Sequence, residues 1–62
     1  MAHFEVITNN GMRKTFMTDK ANYKVGMMNI VSEYPNSKVT FMKGNTTLWT
    51  KTTNDLLMDV YS

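Results

Sequence analysis

The segment spanning residues 23–35, YKVGMMNIVSEYP, restricts the fold more than any other part of the chain. Its apolar residues recur at i, i+4, i+7, i+8 and i+11, the spacing of one helix face: Tyr23, Met27, Ile30, Val31 and Tyr34. Pro35 restricts the residue before it and ends the helix. We therefore predict one amphipathic helix with an N-cap at Thr18 or Asp19, Met27 as core filler and Gly26 on the polar side.

A β-hairpin is predicted before this helix. The stretch HFEVIT alternates with a period of two, NNG is a turn signal, and MRKTFMT returns. A two-residue turn would place Phe4 opposite Met17. We prefer a three-residue loop with a left-handed Gly11, because it places Phe4 opposite Phe16 and gathers four apolar residues on one face: Phe4, Val6, Met12 and Phe16.

A second hairpin is predicted after the helix. The stretches SKVTFMK and TTLWTKT flank a Gly44-Asn45 turn of the type with glycine first. Uninterrupted pairing from that turn sets Phe41 opposite Leu48 and Thr40 opposite Trp49. Val39, Phe41 and Leu48 then share the inner face, and the outer face carries Met42, Trp49 and Lys51.

The tail reads as a short second helix that begins with Thr53 or Asn54 as its cap. It is supported by two i,i+4 pairs, Leu56 with Val60 and Leu57 with Tyr61. The whole chain, residues 1–62, is then a single α+β domain: a two-layer ββαββ(α) arrangement with a four-stranded, mostly antiparallel sheet and one main helix on one face. Two strand orders fit. Either the third strand lies beside the first in a fully antiparallel sheet, or the fourth lies parallel to the first, as in β-grasp domains.

The size and the cysteine count narrow the class of protein. A chain of 62 residues buries only about 60% of its unfolded surface, so it has one small core. It contains no cysteine and one histidine, which excludes disulfides and the common zinc sites. No apolar run is long enough to span a membrane, and MAHFEV has no signal-peptide pattern. We expect a soluble cytoplasmic protein without a cofactor or metal.

Residues capable of catalysis are few and scattered. His3 is close to the N-terminus, and none of the three serines has a base in a recognisable motif. The acidic residues form no spaced pair, and the three glycines are isolated, so a phosphate-binding loop is missing. We therefore predict that the protein is not an enzyme.

The predicted outer face of the sheet is the candidate binding surface. It combines apolar and basic side chains: Ile7, Met17, Met42 and Trp49 with Arg13, Lys38 and Lys51. Methionine and tryptophan are enriched in the cores of protein interfaces, which favours a protein partner. Basic residues around an exposed aromatic also suit single-stranded nucleic acid, although Glu5 shares the face and the net charge is only +2. Homodimerisation would use the same surface, strand addition at a sheet edge is a further route, and the tail helix would close the site if it covered Trp49.

In overall character the chain resembles the short accessory proteins of bacteriophages with AT-rich genomes. The resemblance rests on its small size and on stretches rich in Asn, Lys, Thr and Met, such as FMTDKANYKVGMMN and FMKGNTTLWTKTTND. It covers the whole chain without a specific motif, so it assigns no site residue. It implies a non-enzymatic protein of the host cytoplasm that binds one host protein stoichiometrically and inhibits or redirects it.

Overall fold

A computed structural model describes residues 2–19 and 22–61, with side chains up to residue 59. Its elements are β1 (Ala2–Ile7), β2 (Arg13–Thr18), α1 (Tyr23–Glu33), β3 (Lys38–Lys43), β4 (Thr46–Thr52) and α2 (Thr53–Tyr61). The four strands form one sheet in the order β2-β1-β3-β4, and every neighbouring pair is antiparallel. The predicted α+β fold is confirmed. Of the two strand orders, the fully antiparallel one is observed and the β-grasp order is wrong.

The first hairpin has the predicted three-residue loop. Phe4 lies opposite Phe16, the Thr8 backbone N–H donates to the Met12 carbonyl at 2.8 Å, and Gly11 has a left-handed φ of 86°. Phe4 and Val6 are fully buried and Phe16 packs against the core. Met12 remains 52% exposed and lies directly before β2, at the hairpin end opposite Thr8.

Helix α1 packs on the sheet through the predicted stripe. Met27 and Ile30 are buried, and the other three members pack around them: Tyr23, Val31 and Tyr34. The predicted N-cap is wrong. The helix begins at Tyr23 with Asn22 as its N-cap, and the Asp19 carboxylate instead accepts a hydrogen bond from the Asn22 N–H at 2.8 Å. Asp19 thus closes a turn before the helix, a common role of aspartate.

Gly26 lies against the sheet, so its predicted place on the polar side of α1 is wrong. A Cβ atom at this position would lie 3.2 Å from Cε2 of the buried Phe4 ring. That separation is shorter than ordinary van der Waals contact between carbon atoms. Gly26 therefore allows α1 to approach the sheet closely over Phe4, and the buried side of the helix is wider than the apolar stripe alone.

The second hairpin differs from the prediction by one residue. The turn is as predicted, with a positive φ of 61° at Gly44, and Met42 lies opposite Thr47. Between this pair and the next the register shifts, so Phe41 lies opposite Trp49 and Leu48 is an extra residue in β4. Such a β-bulge moves every later side chain of the strand to the other face. The predicted pairs of Phe41 with Leu48 and of Thr40 with Trp49 are wrong.

Helix α2 follows β4 directly, as predicted, and packs beside α1. Leu56 is fully buried in the same core as the sheet residues Phe4, Val6 and Val39. The helix is capped one residue earlier than predicted, because the Thr52 hydroxyl accepts a hydrogen bond from the Asp55 N–H at 3.2 Å. The predicted pairs with Val60 and Tyr61 involve side chains outside the described residues.

A buried polar contact joins the start of α2 to the start of β3. The Ser37 N–H donates to the Thr53 hydroxyl at 3.0 Å, and the Thr53 N–H donates to the Ser37 carbonyl at 2.9 Å. Both residues are almost completely buried. The contact fixes α2 on the same face of the sheet as α1.

Candidate binding surface

Both helices lie on one face of the sheet, and residues 2–19 and 22–61 form no helix on the other. We call this second face the outer face. The register defines three rows of side chains across it, because residues directly opposite in antiparallel strands point to the same side. The methionine row is Met17, His3, Met42 and Thr47; the threonine row is Thr15, Glu5, Thr40 and Thr50; the basic row is Arg13, Ile7, Lys38 and Thr52.

The apolar side chains of the outer face are concentrated at one end. Met17 is 63% exposed and Met42 is half-buried, and His3 lies between them on β1. Ile7, 38% exposed, lies at the opposite end of β1, about 13 Å away along the strand. The threonine row therefore separates Ile7 from the two methionines, and in this row the hydroxyls of Thr40 and Thr50 lie 3.3 Å apart.

Five of the seven predicted binding residues lie on the outer face: Ile7, Arg13, Met17, Lys38 and Met42. Arg13 and Lys38 flank Ile7 from the two neighbouring strands, so they border one end of the face. The predicted placement of Trp49 and Lys51 there is wrong, because the bulge at Leu48 turns both toward the helices. Whether any of the seven residues contacts a partner stays a prediction.

Trp49 is part of an aromatic cluster beneath the helices. Its ring centroid lies 5.5 Å from that of Phe41 and 6.1 Å from that of Phe4, which itself stacks on Phe41 at 4.7 Å. Edge-to-face and offset contacts at these distances stabilise a core. The contacts with Phe4 and Phe41 leave the Trp49 indole half-buried, so Trp49 stabilises the core.

Lys51 is held beside this cluster by two charged contacts. Its Nζ lies 5.4 Å from the Trp49 ring centroid and 2.6 Å from a carboxylate oxygen of Asp59 on α2. A groove of about 320 Å³ between α1, β4 and α2 is lined by these three side chains together with Tyr23, Lys24, Met27 and Met28. The sequence carried no signal for this groove, because it depends on the bulge and on the position of α2.

The candidate catalytic groups remain separate. His3 is a half-buried residue of the central strand β1 and not a terminal exposed side chain, since β1 pairs along its whole length on both sides. Within the described residues, no three His, Cys, Asp or Glu side chains come close enough to hold a metal ion. Every buried side-chain nitrogen and oxygen among them has a hydrogen-bond partner. Neither described helix is long and apolar enough to cross a membrane.

Comparison with known proteins adds no family assignment. No protein-family model matches the chain, and neither a curated protein nor a solved structure is significantly similar to it. The outer face must therefore be interpreted from its own geometry.

Proposed function

We propose that this chain is a non-enzymatic binding protein that docks one protein partner stoichiometrically on the outer face. One observation carries the proposal: both helices pack on the opposite face, while Met17 and Ile7 remain exposed on a sheet face that no helix covers. Contiguous exposed apolar surface is typical of interaction sites, and the methionine row, with Met17 beside the half-buried Met42, is the apolar part of this face. Met17 and Met42 are the proposed central contacts, with Arg13 and Lys38 near the border.

The side chains of the outer face favour a protein over a nucleic acid. Single-stranded nucleic acid is bound largely by stacking of bases on aromatic rings, each worth about 1–3 kcal/mol. The three rows of the outer face contain no Phe, Tyr or Trp, and the Glu5 carboxylate lies in the middle row. Methionine side chains, by contrast, adapt to irregular apolar partner surfaces.

The resemblance to phage accessory proteins supports a more specific form of the proposal. In that form the partner is a bacterial host protein, the site of action is the host cytoplasm, and binding inhibits or redirects the partner. Expression of the chain in the bacterial host tests it. We expect slower growth with the wild type and normal growth with Met17→Lys at equal protein levels, and an unaltered growth rate with the wild type would contradict inhibition.

The docking surface is tested by capturing partners from host lysate with the purified chain. Met17→Lys places a charge on the outer face, and Met58→Lys is the matched control, since Met58 is 74% exposed on α2, away from that face. We expect one protein in an equimolar ratio with the wild type and with Met58→Lys, after nuclease treatment, and its loss with Met17→Lys. Equal capture by all three chains would contradict docking on the outer face.

Nucleic acid remains the second candidate partner because Arg13 and Lys38 flank Ile7 on the same face. A phosphate backbone bound there would make affinity fall steeply with salt, and Lys38→Ala would reduce that slope by about one. Titration of a fluorescent single-stranded oligonucleotide at several salt concentrations measures both. Tight, salt-dependent binding that Met17→Lys does not weaken would favour this candidate over the protein partner, because the added charge attracts phosphate.

A further inference from the structure

The two edges of the sheet differ in how well they are protected. β4 carries the bulge at Leu48, and its Lys51 is tied to Asp59 of α2 at 2.6 Å. β2 pairs with β1 alone and is a regular six-residue strand without proline, glycine or bulge. Bulges, covering elements and inward-pointing charges are the usual protections of edge strands. β2 has only the last of these, since Lys14 lies opposite the buried Val6, and its backbone edge is open to pairing with another strand.

The hydrogen bonds of the first hairpin determine which β2 groups are unpaired. Thr8 and Met12 form a bonded pair, with the Thr8 N–H 2.8 Å from the Met12 carbonyl. Bonded and non-bonded pairs alternate along an antiparallel ladder. The backbone groups of Arg13, Thr15 and Met17 therefore point away from β1, toward the open edge.

We propose that this edge pairs with β2 of a second copy of the chain, forming an eight-stranded antiparallel sheet around a two-fold axis at Phe16. The proposal does not depend on the proposed function, because it uses the sheet edge and leaves the outer face uncovered.

The sequence of β2 selects this register. Residues directly opposite each other in an antiparallel pair have their side chains on the same face of the sheet. In a symmetric pair of β2 strands, the two-fold axis must therefore lie where one residue is opposite the same residue of the other copy. An axis at Lys14 would oppose two lysines, and like charges directly opposite each other are destabilising. An axis at Phe16 places the two Phe16 rings opposite each other. The outward-pointing backbone N–H and C=O groups of Thr15 in one copy then meet those of Met17 in the other. Arg13 of each copy lies opposite Asp19, the residue after β2, in the other copy.

The Arg13–Asp19 pairing can form only between copies. Within one chain the two residues lie six positions apart at opposite ends of β2, a separation of about 20 Å. The Asp19 carboxylate already accepts hydrogen bonds from Asn22, at 2.8 Å and 3.2 Å, which hold it at the end of the strand. An axis at Thr15 would place Arg13 opposite Met17 of the other copy and would leave Arg13 and Asp19 apart.

The Phe16 rings add an apolar contact on the helix side. Phe16 is half-buried and its centroid lies 5.7 Å from that of Tyr34 at the end of α1. Opposition of two Phe16 rings across the axis would extend this pair into a row of four aromatic rings. Opposed aromatic residues are among the stabilising cross-strand pairs.

Sedimentation equilibrium over a range of concentrations tests for the dimer. Thr15→Pro removes an N–H that points to the open edge and no bond of the monomer, and proline is tolerated at such an edge position. Thr15→Val is the matched control, since it keeps the N–H. We expect a dimer for the wild type and Thr15→Val and a monomer for Thr15→Pro, each with native circular dichroism. A wild type that stays monomeric at every concentration, or a dimer that survives Thr15→Pro, overturns the proposal.

Charge reversal tests the register even if the proline variant fails to fold. Each exposed ion pair changes a dissociation constant by up to about fivefold, and the two-fold axis doubles every substitution. Arg13→Asp and Asp19→Arg should therefore each weaken self-association by up to about 25-fold, because the factors of the two pairs multiply. A mixture of the two variants should form a mixed dimer about as strong as the wild type, because both pairs become complementary again. A mixture that associates no better than its components overturns the register.

Discussion

Replacement of Trp49 by alanine should destabilise the domain strongly, although the alternation of β4 predicts an exposed indole. A tryptophan side chain buries about 150–250 Å², and a half-buried one about 100 Å², which is worth about 2.5 kcal/mol. The ring contacts with Phe4 and Phe41, at 6.1 Å and 5.5 Å, add about 0.5–1.5 kcal/mol each. We expect the free energy of unfolding to fall by about 3.5–5.5 kcal/mol.

This loss is large compared with the total stability of so small a domain. At about 0.05–0.15 kcal/mol per residue, the chain has roughly 3–9 kcal/mol in all. With a urea dependence near 1 kcal/mol per molar, the unfolding midpoint should fall by about 3.5–5.5 M. Far-UV circular dichroism is the appropriate probe, because Trp49 is the only tryptophan and the variant loses its fluorescence.

Leu48→Ala is the control in the neighbouring position. Leu48 is 51% exposed and lies outside the buried core, so its truncation should change the free energy of unfolding by no more than about 1 kcal/mol. A larger loss of stability for Leu48→Ala than for Trp49→Ala would refute the bulge and restore uninterrupted pairing of β3 with β4.

Three further changes test other contacts of the fold. Gly26→Ala gains about 1 kcal/mol of helix propensity, but its methyl group is forced against Phe4 at a cost of about 1–3 kcal/mol. Urea unfolding should therefore show a net loss of stability, and a gain would contradict the close approach of α1 to the sheet. Thr53→Val leaves a buried backbone N–H without its acceptor and should lower stability by about 1–3 kcal/mol, whereas Thr53→Ser should retain most of it. Deletion of Leu48 removes the extra residue of β4 and keeps every other cross-strand pair. Deletion of Thr50 moves the side chains on one side of the deletion to the opposite face of the sheet, so it should lower the Tm more. The reverse order of Tm values would argue against the bulge.

Features set by local periodicity were predictable from the sequence. The stripe from Tyr23 to Tyr34 predicts which side of α1 is buried, because apolar residues must face the one core that a small chain can build. The loop before β2 follows from the need to bring Phe4 and Phe16 to the same face. Both rules use only neighbouring residues and the burial of apolar surface.

Features set by competing local contacts were not predictable in the same way. Asp19 suits a helix N-cap, yet it closes a turn with Asn22 instead, and both are ordinary uses of aspartate. A glycine in a helix reads as a neutral or unfavourable residue, and only the position of Phe4 on the sheet reveals why Gly26 fits. Asp19 thus had two local roles that the sequence does not rank, whereas the atom that decides Gly26 belongs to another part of the fold.

The bulge at Leu48 also decides which kind of partner the outer face suits. With uninterrupted alternation the indole of Trp49 would lie beside Met42 and offer a base a stacking surface. The extra residue turns the indole into the core and leaves Thr47 opposite Met42. The outer face thereby loses the aromatic group on which nucleic-acid binding depends most, while it keeps the methionines that adapt to a protein surface. The extra residue in β4 thus removes Trp49 from the predicted contacts of the outer face and leaves Met17 and Met42 among them.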